Sequence, residues 1–138
     1  MKSSFDIESI LFKILKDDDT LSKMINGNIY VGDTRPLNSK KEDIIINTIS
    51  ITSEYLPQVA TTNVNVYVPD HYITVQGQKQ TQINRKRLQV ISDKVLEIIR
   101  KCNIEGVELT TETQVTLSEQ SISQHYVNIR VYWNIQID

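Results

Sequence analysis

The sequence predicts an α+β domain: a mainly antiparallel sheet of about five strands, with two main helices packed on one face and a long C-terminal β-hairpin. Three observations lead to this fold class. Two segments carry apolar residues at helical spacing, several others alternate apolar and polar residues with period two, and the strands come in runs separated by helices. No internal repeat or linker divides the chain, so residues 1–138 are expected to form a single domain.

The N-terminal segment predicts a helix over residues 4–16, followed by a short second helix. Asp18 or Asp19 in the run "DDDT" can cap the second helix, and Gly27 is expected to end it. A calcium loop starting at Asp17 is excluded, since Ser22 and Asn28 occupy its glycine and glutamate positions. The apolar residues of the first helix are Phe5, Ile7, Ile10, Leu11, Ile14 and Leu15.

The middle of the chain predicts three strands and two loops. The strands are "NIYV" (28–31), "IIINTISI" (44–51) and "NVNVYVPD", with Val64, Val66 and Val68 inward and Pro69 at the end. Pro57 argues against a central strand, so Ser53–Thr62 is predicted to be a mobile loop. Asp70–Gln82 is polar and rich in Gln around Gly77, which predicts an exposed loop or a small flap.

A second long helix is predicted over residues 82–101. At 1.5 Å per residue it would run roughly 30 Å. The basic cluster "NRKR" (84–87) lies near its N-terminus and is interpreted as a solvated helix face, the alternative being a contact with an acidic partner or with passing phosphate. Its apolar stripe consists of Ile83, Leu88, Ile91, Val95, Ile98 and Ile99.

The chain ends on "HYVNIRVYWNIQID", which alternates strictly and predicts a long strand with Trp133 and the alternating Val and Ile residues buried. Twelve such residues would run roughly 40 Å, further than the second helix that covers them. The hairpin therefore either projects beyond its core or is shortened by a β-bulge at Thr110–Thr113. In the preceding strand Val107, Leu109, Val115 and Leu117 share one parity, and the turn is expected within Ser118–Gln124.

Composition and charge exclude several classes of protein. A formal charge of -2 argues against a protein whose main task is to grip nucleic acid. The single cysteine, Cys102, allows no internal disulfide and is interpreted as a buried, inert thiol. The N-terminus breaks its apolar residues with charges, so it predicts neither a secretory signal nor a membrane span, and we expect synthesis in a cytoplasm.

No catalytic motif accompanies the two histidines, His71 and His125. A nucleophile–base set could be drawn from His71, Asp70 and a serine, but no nucleophile elbow is present, and the four glycines form no phosphate loop. Two histidines without paired acidic residues make a poor metal site. The sequence therefore predicts no catalytic, cofactor-binding or metal-binding residue, no cofactor, and a protein that is not an enzyme.

Several segments carry a likeness to a known family. "IESILFKILKDDDTLSKMINGNIYVGDTRP" and "EDIIINTISI" cover the first helices and strands, and "INRKRLQVISDKVLEIIRK" and "SQHYVNIRVYWNIQID" cover the long helix and the last strand. In this order they resemble the tail-terminator, or tail-completion, family of long-tailed bacteriophages. The longer "HYITVQGQKQTQ" and the few glycines near the last hairpin depart from that pattern.

The resemblance implies a structural virion protein that forms a homo-oligomeric ring, usually a hexamer, in the neck of the tail. Its implied partners are other copies of itself, the tail tube protein and the head-completion or connector protein, with DNA passing through the channel without specific binding and no membrane involved. It would be made in the cytoplasm of the host bacterium. The alternative is a host- or prophage-encoded, non-enzymatic binding module of the adaptor or immunity type, which neighbouring genes would distinguish.

Overall fold

The computed structural model describes all 138 residues. The helices are α1 (Ser4–Lys16), α2 (Asp19–Met24) and α3 (Arg85–Lys101). The strands are β1 (Ile29–Val31), β2 (Asp43–Ile51), β3 (Gln58–Pro69), β4 (His71–Val75), β5 (Gln78–Gln82), β6 (Val107–Glu119) and β7 (Gln124–Ile135). A short 3₁₀ turn, Gln120–Ile122, lies between β6 and β7, inside the predicted turn region.

The five-stranded sheet has the order β1-β2-β3-β7-β6, and a separate two-stranded sheet joins β4 to β5. Every neighbouring pair in the large sheet is antiparallel except β1 with β2, which is parallel. Apolar residues of α1, α2 and α3 pack with the inward residues of β2, β3 and β7 into one core of 22 buried residues. The predicted α+β class, with a mainly antiparallel sheet and helices on one face, is confirmed.

Local side chains fix where the helices begin. Ser3 and Asp6 form a reciprocal capping box before α1, whose predicted bounds are confirmed. Asp18 caps α2 by accepting a hydrogen bond from the Leu21 amide at 2.9 Å. The prediction that Gly27 ends α2 is wrong, because the helix ends at Met24. α3 begins at Arg85, later than the predicted residue 82, since Asn84 accepts from the Arg87 amide and caps it.

Strands β3 and β7 form the centre of the sheet, pairing without interruption from Gln58↔Ile135 to Pro69↔Gln124. Trp133 is fully buried on the helix-covered face, and its Nε1 donates a hydrogen bond of 3.0 Å to Thr62 Oγ1. The predicted burial of Trp133 and of the Val and Ile residues of β7 is confirmed. The prediction is wrong for Ile137, which lies beyond the strand end and is exposed. The other buried apolar residues of β7 are Val127, Ile129, Val131 and Ile135.

The prediction of a loop over Ser53–Thr62 is wrong in its second half, because β3 begins at Gln58, directly after Pro57. Gln58 is fully buried, and its carboxamide bonds to the backbone of Lys2 (2.8 and 2.9 Å) and to the Thr52 carbonyl (2.6 Å). Gln58 and Thr62 thus extend the inward set that Val64, Val66 and Val68 continue. Their polarity hid the strand, although each is satisfied by a buried hydrogen bond.

The predicted exposed loop or flap at Asp70–Gln82 is an exposed β-hairpin made of β4 and β5, which we call the arm (His71–Gln82). Gln76 and Gly77 form its two-residue turn, with φ of 51° and 80°. Positive φ at both central residues is typical of the turns that suit a twisted hairpin.

A β-bulge between Thr111 and Thr113 interrupts the β6–β7 pairing, as in the second of the two alternatives that the sequence left open. β7 stays paired with β3 along its whole length, so the terminal hairpin does not project beyond the sheet. The extra residue reverses the side-chain alternation of β6. Val115 and Leu117 are opposite Asn128 and Tyr126, on the face opposite to Val107 and Leu109, so the prediction from their shared parity is wrong.

We expect Trp133→Ala to lower the free energy of unfolding by about 3–5 kcal/mol, because it empties a large buried volume. Thr62→Val should lower it by about 1–3 kcal/mol, since the indole N–H would lose its acceptor inside the core. Ile137→Ala is the control: its side chain belongs to the same sequence alternation but is exposed, and about 1 kcal/mol or less is expected. Urea unfolding measures all three, and equal losses for Trp133 and Ile137 would contradict the assigned register.

Candidate functional site

The sequence singled out Asp70, His71 and His125, and the structure separates the two histidines. His125 Nδ1 lies 2.6 Å from Asp70 Oδ1, whereas His71 is exposed on the arm. Ser118 is the residue opposite His125 in the β6–β7 pairing, but no hydrogen bond joins its hydroxyl to the imidazole. The imidazole therefore contacts an orienting carboxylate and no bonded nucleophile, an incomplete arrangement for acyl transfer.

Other sites of possible chemistry are few. No cluster of three or more His, Cys, Asp or Glu residues is placed to hold a metal ion. None of the helices combines the length and apolar character that crossing a bilayer requires. Cys102 is half-buried at the end of α3, its thiol donates to the Ile99 carbonyl at 3.1 Å, and burial raises the pKa of that thiol. A thiol with a raised pKa stays protonated and is a weak nucleophile.

The sheet face opposite the helices, which we call the helix-free face, is a further candidate surface. A ladder of asparagine carboxamides crosses β2, β3 and β7 at its middle. Asn63 Nδ2 donates to Asn47 Oδ1 at 3.1 Å, and Asn128 Nδ2 donates to the Oδ1 atoms of Asn63 (3.0 Å) and Asn65 (2.7 Å). These residues are half-buried and uncharged, so they form a rigid polar strip that still reaches solvent.

Two aromatic residues lie beside the ladder, two positions further along β3 and β7. Tyr67 and Tyr126 stack with ring centroids 4.6 Å apart, and the guanidinium of Arg35 lies over the Tyr67 ring, 4.3 Å from its centroid. Burial, followed by the neighbouring Tyr126, raises the pKa of Tyr67, while Arg35 opposes that shift. Tyr67 therefore stays a neutral phenol at physiological pH.

Arg35 is held by a buried polar cluster. Its Nε lies 2.8 Å from Asp43 Oδ2, and its Nη2 donates to Gln124 Oε1 at 2.8 Å. Asp43 also accepts from the Asn28 amide (2.8 Å) and from the Ser39 hydroxyl (2.5 Å). The segment around Arg35, the start of β2 and the start of β7 are thereby fixed to one another.

Gly27 is required by that same cluster. A Cβ at this position would lie 2.0 Å from Asp43 Oδ1 and 2.3 Å from the Glu42 carbonyl oxygen. The close approach of backbone to the buried carboxylate, and not the end of a helix, explains the glycine.

The basic cluster at the start of α3 is only partly solvated. Arg85 and Lys86 are exposed as predicted. The prediction is wrong for Arg87, which forms an ion pair with Glu42. Its Nε lies 2.5 Å from Glu42 Oε2, and its Nη2 contacts Glu42 Oε1 (3.0 Å) and the Met24 carbonyl. The hydrogen bond to Glu42 raises the pKa of Arg87. Sequence reasoning missed this pair and the Arg35–Asp43 pair. The signal was the two acidic residues of "EDIII", which directly precede an apolar strand and, if buried, need a cationic partner.

The helix-free face ends in a groove of about 630 Å³, between the Arg35 segment and the β6–β7 turn. Its lining mixes aromatic, aliphatic and charged groups, including Arg35, Leu37, Ile45, Tyr67, Glu119 and Ile122. A surface of this mixed composition is suited to contact with another protein.

Comparison with known proteins gives a likeness in fold. No protein-family model matches the chain, and no curated protein matches its sequence. Its fold is similar to that of a chain from a solved structure described as the "Virion of native gene transfer agent (GTA) particle", with a TM-score of 0.59. The two chains share a fold. Their alignment covers 92% of each chain at 9% sequence identity, so the likeness concerns architecture over nearly the whole length and no particular residue.

We expect Asp43→Ala to lower the free energy of unfolding by about 3–5 kcal/mol, because it leaves Arg35 buried without its counter-ion. Asp33→Ala is the matched control: Asp33 is exposed in the same segment, and its loss should change stability by about 0.5 kcal/mol or less. Thermal and urea unfolding of the two variants test this, and a stable Asp43→Ala protein would remove the Arg35 cluster from the determinants of the fold.

Proposed function

We propose that the protein is a structural component of a tailed phage or phage-like virion and is not an enzyme. In this proposal it forms a homo-oligomeric ring, most simply a hexamer, at the head-proximal end of the tail. The ring terminates growth of the tail tube and joins the tail to the head connector. Its partners are copies of itself, the tail tube protein and the head-completion protein, and DNA passes through its channel.

The observation that carries this proposal is the fold shared with a virion chain over 92% of both chains. Chance likeness of a single hairpin or helix pair would cover far less of either chain. The order of elements is also the one in which the sequence resembles the tail-terminator family. The fold likeness uses the backbone, and the resemblance uses the sequence pattern.

The distribution of surfaces supports assembly over chemistry. Helices cover one side of the sheet, while the other side carries the asparagine ladder, the tyrosine stack and the groove of mixed lining. Head-to-tail association of such a subunit gives a closed ring when the rotation between neighbours closes. A different patch of each subunit then meets the next subunit, and no two-fold symmetry is required.

Charge is consistent with a conduit. The chain has a formal charge of -2, and the side chains of the asparagine ladder on its helix-free face are uncharged. A surface that neutralises many phosphates would bind DNA in a strongly salt-dependent way and would hold it. A ring of nearly neutral subunits lets the DNA pass.

Removing the gene from its phage or phage-like particle tests the function. We expect tails of uncontrolled length, or complete tails that fail to join heads, in electron micrographs of the lysate. Restoring the gene from a plasmid should restore joined particles. Normal infectious particles without the gene would contradict the proposal and favour the adaptor-type binding module.

Alanine at Asp70, His71 and His125 together tests whether the protein acts without catalysis. We expect the triple variant to complement the deletion as well as the unchanged gene does, because His71 is exposed and replacing Asp70 and His125 together leaves neither partner without the other. Particle yield and infectivity are the measurements. A variant that is incorporated into particles yet fails to complement would favour a chemical role for the Asp70–His125 pair.

A further inference from the structure

The arm has no packing partner in its own chain. Every residue of β4 and β5 is exposed except Ile73, which is half-buried, and none belongs to the hydrophobic core. Tyr72 is 77% exposed and Val75 43% exposed. An isolated two-stranded hairpin is at best marginally stable in water, so this arm lacks the third strand or the helix that would stabilise it.

The outer edge of β6, in turn, has no partner strand. β6 is the last strand of the sheet, and beyond the bulge the stretch Thr113–Ser118 is exposed. This stretch carries no charge and no proline, the two devices that usually protect an edge from pairing with another chain. Val115 and Leu117 also leave 49% and 40% of their surface in solvent.

The two elements match in length and in charge. A strand of five residues spans about 17 Å and one of six about 20 Å, so β4 fits the free stretch of β6. β6 carries Glu108, Glu112 and Glu119 and no basic residue, whereas the arm carries Lys79 and no acidic residue. β4, "HYITV", is rich in the β-branched and aromatic residues that strands favour.

We propose that the arm of one copy adds to the outer edge of β6 of the next copy, with β4 pairing along Thr113–Ser118. The backbone of the edge gains the hydrogen bonds that it lacks in the single chain, and the arm gains a third strand. This contact joins two different surfaces, so it propagates from subunit to subunit around a ring. The partner is a second copy of this chain, and the role of the contact in a ring rests on the proposed function.

Cysteine cross-linking in assembled particles tests the contact. On a Cys102→Ser background, Thr74→Cys on β4 is combined with Val115→Cys on β6, or with Thr113→Cys as a second edge position. All three sites are exposed in the single chain. Mild oxidation or a short bis-maleimide should give a ladder of covalent multimers of this chain. The matched control combines Thr74→Cys with Lys13→Cys on the exposed surface of α1, and it should give no ladder.

The outcomes separate this inference from the proposed function. If the chain is incorporated into particles but neither edge pair gives multimers, or the edge cysteines cross-link to a different protein, the arm–edge contact is wrong and the virion role stands. If the chain is absent from particles, the virion role is wrong. Cross-linking of the same variants at high concentration in solution then tests whether the arm–edge contact forms. Multimers through Thr74 and Val115 or Thr113 would then still support it, and their absence would overturn it.

Discussion

The pairing of β3 with β7 is the constraint on which the rest of the structure depends. Twelve residues of each strand are in continuous register, and one hydrogen bond, from the Trp133 indole to the Thr62 hydroxyl, satisfies the largest buried side chain of the core. A shift by one residue would exchange the apolar face for the face of asparagines and tyrosines. Both the helix packing and the helix-free surface therefore follow from this single register.

The bulge in β6 determines what the sheet offers to other molecules. Before the bulge, Val107 and Leu109 pack against the core; after it, Val115 and Leu117 lie on the helix-free face and the outer backbone is open. The arm leaves the domain beside the β6–β7 turn, where the Asp70 amide donates to the Ser123 carbonyl at 2.9 Å. An unprotected edge and an unpacked arm at one end of the domain give a small subunit two unlike surfaces, as repeated head-to-tail assembly requires.

Two ion pairs, one buried and one partly exposed, fix the segments around the start of β2. Arg35 and Asp43 fix the chain between β1 and β2. Arg87, whose side chain is one-third exposed, ties α3 to Glu42. Buried pairs contribute little net stability relative to apolar packing, because desolvation offsets their attraction. Their effect here is positional: removing one partner is unfavourable, so the Tyr67 stack and the groove beside it keep one arrangement.

The sequence by itself determined the fold class, the bounds of α1 and the burial of Trp133, because periodicity and capping are local properties. It gave a bulge near Thr111 only as one of two alternatives. It misplaced the start of β3, the side of Val115 and the role of Arg87, and it missed the arm's strands. Gln58 and Thr62 are buried only because Lys2, Thr52 and Trp133 supply their hydrogen bonds from distant positions. The asparagine ladder, the ion pairs and the open edge likewise join residues far apart in the chain, and only tertiary packing brings such groups together.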